Sequence, residues 1–147
     1  MDLYITWEYI PWNILILFCI FAYTKTIYKM KRDKIIYYVS TGLLTALMLF
    51  SVSIYLFSHD EVSSMFKGFG YPTYIIYPYA IAKLLGLFAI WNPNFKVIKE
   101  WAYTGFFFAF ILAFFAHFMI GDGDQGGALV ALVLLVISYI FNKRINK

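Results

Sequence analysis

The sequence is poor in the groups on which most catalytic sites are built. Cys19 is the only cysteine in 147 residues, and His59 and His117 are the only histidines. One thiol cannot close an internal disulfide or form a CxxC pair, which excludes two-cysteine thiol–disulfide chemistry. Inside an apolar run, Cys19 reads as a small buried apolar residue. Charge is scarce as well: 14% of residues are Asp, Glu, Lys or Arg, against about 25% in an ordinary soluble domain. A chain of this size could not cover its apolar surface with so few charges. A soluble globular enzyme and a disordered tail are both excluded. The net charge of +4 does not mark a nucleic-acid interface, because Lys and Arg punctuate apolar runs instead of clustering on a soluble face. The N-terminus carries Asp2 and Glu8 and no basic residue, so no secretory signal is expected there.

What the chain has is apolar length. Apolar residues make up 63% and aromatics 22%, in runs that approach the ~20 helical residues needed to cross a ~30 Å hydrocarbon core. The pattern predicts an all-α, polytopic membrane helix bundle in a single domain. Helices are expected over about 35–57, 73–91, 100–120 and 127–142, with an extra N-terminal transmembrane helix over about 11–28. In that first segment Pro11 suits an opening turn and Lys25 can snorkel to the interface. Lys29, Lys31, Arg32 and Lys34, then Lys96 and Lys99, then Lys143, Arg144 and Lys147 fall on one side. The positive-inside rule places that side, with the C-terminus, in the cytoplasm. Asp60, Glu61, Asp122 and Asp124 then face outward, and five crossings put the N-terminus outside. Trp91, Trp101 and the neighbouring Glu100 mark the interface on the basic side. Tyr4, Trp7, Tyr9 and Trp12 would form an outer belt, since such rings favour headgroup depth.

Small residues recur on single helix faces. Ala102, Gly105, Ala109, Ala113 and Ala116 follow a three-and-four spacing, and Ala82, Gly86 and Ala89 repeat it. In lipid, close approach through small residues drives helix association, so Gly105, Ala109, Ala113 and Gly86 are expected at packing seams. Phe106, Phe107, Phe110 and Phe114 would fill gaps or face lipid. Pro78 removes a backbone donor and crowds the carbonyl of Tyr74, predicting a kink or wide turn there.

Lys83 and His117 are the only ionisable residues, phenols aside, well inside the four core spans, and no carboxylate accompanies them. That absence argues against a proton-coupled exporter. Lys83 leans toward the start of its helix, and His117 continues the small-residue stripe, so the two approach the same half of the bundle. With Tyr79, Tyr77, Tyr74 and Asp122 they are expected to line a polar internal pocket able to bind a ligand. His59 lies at a mismatched depth, so no histidine pair is expected to clamp a haem. The turn Gly121–Asp122–Gly123–Asp124 lacks the further oxygen ligands of a calcium loop, and no metal is expected. No selectivity-filter pattern is visible.

Gly70, Tyr71 and Pro72; Ala82, Lys83, Leu84, Leu85 and Gly86; Lys99, Glu100, Trp101, Ala102 and Tyr103; Gly105, Phe106, Phe107 and Phe108; His117, Gly121 and Asp122; and Ser138 with Tyr139 form an ordered series. From about Gly70 to Tyr139 it resembles the DoxX-like family of small four-helix membrane proteins. The family pattern commonly has Asp after the Phe run, where this chain has Ala109. The resemblance implies a four-helix core and draws attention to Lys83, Glu100 and His117. It also implies a bacterial inner-membrane setting. The family name comes from subunits of a thiosulfate:quinone oxidoreductase, and relatives include an assembly factor for nicotinic receptors. The expectation is a non-catalytic accessory or assembly protein that binds a membrane-protein partner, a second copy of itself or a lipid. The alternative is a quinone- or lipid-linked redox subunit, with electrons supplied by another subunit.

Overall fold

The computed structural model describes residues 12–146, with side chains from Ile16 onward. The expectations placed on Asp2, Tyr4, Trp7, Glu8, Tyr9, Pro11, the Trp12 side chain and Lys147 lie outside the described residues. Five α-helices follow in order: α1 (Trp12–Phe57), α2 (His59–Gly68), α3 (Ile76–Trp91), α4 (Lys96–Ile120) and α5 (Gln125–Ile145). Four of them, α2 excepted, are long and apolar enough to cross a membrane. The protein is an all-α membrane helix bundle.

The expected break between 28 and 35 is absent. α1 runs through Lys29–Lys34 as one helix of 46 residues, about 69 Å long. The segment KMKRDK holds no Gly or Pro, and Lys, Met and Arg are good helix formers. Its charge marks a membrane boundary without supplying a turn, so the described chain does not reverse there. Asp33 is buried, with its carboxylate 3.8 Å from Arg32 Nε, whereas residues 16–32, Cys19 among them against the expectation of burial, are exposed except for the partly covered Ile27.

α1 packs on α3 and α5, and α4 packs on the same two helices, closing a four-helix ring. Leu44, Leu87, Ile90, Phe106, Phe110 and Leu135 belong to its core. Ser138 ties three helices together: its hydroxyl lies 2.7 Å from Thr41 Oγ1 and 2.8 Å from the Tyr103 hydroxyl. A methyl group added at Gly86 would lie 2.6 Å from Phe106 Cζ, so this glycine sits at a close contact between α3 and α4.

α2 occupies what the sequence suggested was a loop. Val62 and Phe66, one turn apart, bury themselves against Ile76. Before α3 a 3₁₀ turn covers Thr73–Ile75, and α3 begins only at Ile76. Pro78 therefore falls in the first turn, where its missing donor interrupts no established ladder. Of the kink or wide turn expected there, the structure has a turn, the 3₁₀ segment Thr73–Ile75.

Candidate functional site

Lys83 projects from the middle of α3 into the bundle and is 6% exposed. Its ammonium donates to Ser51 Oγ at 2.8 Å. It also lies 4.1 Å from the centroid of the Tyr55 ring and 4.7 Å from that of Tyr79. Ser51 and Tyr55 are one turn apart on α1, and Tyr79 and Lys83 one turn apart on α3, so each pair shares a helix face. The two faces meet around the charge. Ring faces attract a cation electrostatically but carry no net charge. Among the described residues, no carboxylate pairs with this ammonium.

A cavity of about 690 Å³ opens beside it. Lys83, Ser51, Tyr55 and Tyr79 form a polar patch on it, and Met48, Ile54, Phe66 and Phe110 contribute to a mostly apolar wall. Gly105, Ala109, Ala113 and Ala116 supply the α4 wall. This changes the role of the stripe. A methyl at Gly105 would meet no atom within 4 Å, so the residue leaves space instead of seating a neighbouring helix. Ala109 and Ala113, expected at the same seam, likewise line the space. Of the two glycines in the expected packing set, Gly86 lies against a close neighbour and Gly105 does not.

His117 lines the same cavity, at the end marked by acidic residues. Its Nδ1 donates to Asp122 Oδ2 at 2.6 Å, and its ring meets Phe69 edge to face, centroids 5.0 Å apart. Asp122 Oδ1 accepts the backbone N–H of Asp124 at 3.0 Å. That backbone bond, followed by the bond from His117, holds the Asp122 carboxyl below the usual carboxylate range. His117, Asp122 and Asp124 each offer a ligand atom within 4.8 Å of the others. Asp122 and Asp124 are exposed, and the Asp122 carboxylate already takes bonds from His117 and from the Asp124 backbone.

Lys83, Tyr79 and His117 thus share one cavity, with Asp122 attached through His117. Tyr74 and Tyr77 do not line it. Tyr74 is 77% exposed, and Tyr77 stacks on His59 with 5.0 Å between centroids. Glu100 stands near the opposite, basic end of the bundle. It accepts from Lys143 Nζ at 2.8 Å and from the Tyr139 hydroxyl at 3.0 Å. Nearby, Trp101 is exposed and the Trp91 indole donates to Thr45 Oγ1 at 2.9 Å. Sequence reasoning missed Ser51, Tyr55 and Asp124 as cavity residues. The four-residue spacing of Ser51 and Tyr55 in the mostly apolar second half of α1 was the available signal.

A family model described as the DoxX-like family matches residues 39–141. The chain belongs to the DoxX-like family. The match runs from residue 39 in α1 through α2, α3 and α4 and into α5 as far as residue 141, so the cavity lies wholly within the family's region. The exposed first half of α1 precedes it. No curated protein and no solved structure matches this DoxX-like chain.

Proposed function

We propose that this DoxX-like protein is a non-catalytic accessory protein that binds one lipid-like amphiphile inside its helix bundle. The observation that carries the proposal is the apolar cavity with a single buried ammonium at its wall. A pocket of about 300–1,000 Å³ suits a molecule of drug-like size, held by few polar groups within an apolar lining. Lys83 would orient the polar head, while the apolar wall takes the body. The basic end of the bundle would face the cytoplasm of a bacterial inner membrane, following the asymmetry of Lys and Arg. The exposed arm of α1, carried past that basic end by the unbroken helix, would meet a membrane-protein partner. Solvent extraction of the purified protein, followed by mass spectrometry, tests the reading. One amphiphile per chain is expected in the wild type and a depleted amount in Lys83→Met. Clean protein without bound amphiphile would remove the proposal.

The aromatic flanks of Lys83 favour a second reading, a quinone-linked redox subunit. Tyr55 and Tyr79 could pack a quinone ring while Lys83 donates to its carbonyl, with electrons arriving from another subunit. A quinone in the extract, together with thermal stabilisation by decylubiquinone, would select this alternative.

A further inference from the structure

We infer that the cavity takes a single-chain amphiphile with an anionic headgroup, its head held at Lys83 and its chain lying along the small-residue face of α4. This deepens the amphiphile-binding reading and depends on it. An ammonium carries three donors, and Ser51 accepts one of them. Tyr55 and Tyr79 present ring faces to the same nitrogen. Neither a hydroxyl nor a ring neutralises the charge. Burying an ammonium is costly until an opposite charge pairs with it. A neutral carbonyl would add a hydrogen bond but no charge, and charge-assisted bonds are roughly twice as strong as neutral ones.

The space for the chain comes from α4. Gly105, Ala109 and Ala113 are each one turn apart, and all three line the cavity. Open space beyond Gly105 leaves room for a chain to run past it. The volume, about 690 Å³, falls within the range for one drug-sized molecule, whereas a two-chain phospholipid is larger. Phe50 and Leu112 contribute to the wall and are exposed on the bundle surface, which gives the chain a route from the surrounding lipid. Asp124 lines the acidic end and would repel an anion arriving there from water.

The test uses the full chain in maltoside micelles and follows thermal unfolding with decanoate, oleate, oleoyl lysophosphatidate or methyl oleate. The expected result is a raised midpoint with decanoate and with oleate, lysophosphatidate or both, and none with methyl oleate; the larger of the oleate and lysophosphatidate shifts identifies the headgroup. Lys83→Met should weaken anion binding by about tenfold or more, and Lys83→Arg should restore it. Gly105→Leu, built into open space, should lose the oleate shift and keep the decanoate shift. Equal stabilisation by methyl oleate, or an undiminished anion response in Lys83→Met, would overturn the anionic head. Equal loss of both carboxylates in Gly105→Leu, or loss of neither, would overturn the placement of the chain. No shift with any probe overturns the whole inference. The amphiphile-binding reading falls with it only if extraction also yields no bound amphiphile.

Discussion

Lys83 and Gly86 lie three residues apart on α3 and respond to opposite constraints. Lys83 holds a charge in a wall that could be apolar, and insertion scales place a central Lys at about 2.5–3.5 kcal/mol unfavourable. Lys83→Met is therefore expected to leave the thermal midpoint unchanged or raise it, while ligand is lost. Gly86 is confined by Phe106. Gly86→Ala should destabilise the bundle by about 1–3 kcal/mol, the usual cost of overpacking. Gly105→Ala meets nothing and should gain about 0.5–1 kcal/mol from helix propensity. Thermal or denaturant unfolding of the three variants checks the contrast. Asp122 contributes a pH dependence. Its lowered native value means that its stabilisation is complete above the ordinary Asp range, about 3.9. That stabilisation disappears as pH falls through the native value. Asp122→Asn should flatten the acid limb of the midpoint between about pH 5 and pH 3. An unchanged limb would separate the turn from acid unfolding.

At the scale of elements, α1 departs furthest from the sequence pattern. Apolar length and positive charge marked two segments, and nothing in 29–34 could show whether the backbone turned. Charge reports where water begins; it does not break a helix. Spin labels on Cys19 and on a cysteine at Leu43, both exposed, measure the difference. A continuous helix separates their backbones by about 36 Å, whereas reversal at the basic segment would bring them within about 20 Å as neighbouring helices. α4 shows a second limit. Periodicity placed Gly105, Ala109 and Ala113 on one face, but small residues serve a seam or a cavity equally well. Only the positions of the other helices decide between these. Ser138, by contrast, is a seam residue on α5. Ser138→Ala removes the shared partner of Thr41 and Tyr103. It should cost about 0.6 kcal/mol per bond on average, up to about 1.7, as for hydrogen bonds between membrane helices. A double-mutant cycle with Thr41→Val reads the coupling directly.

At the scale of the whole molecule, composition made the membrane bundle legible, and the ordered motifs from Gly70 to Tyr139 pointed to the DoxX-like family. Lys83 and His117 could be singled out because ionisable residues are rare in such spans. Their cavity could not be drawn from sequence, since Ser51, Tyr55 and α2 enter it only when α1 closes on α3. The central claim is that this cavity holds one amphiphile at Lys83. Native mass spectrometry of the intact protein released from its membranes tests it most directly. The account predicts one defined lipid-like adduct per chain in the wild type and its loss in folded Lys83→Met. Bare wild-type protein, or an adduct retained equally by Lys83→Met, would contradict it.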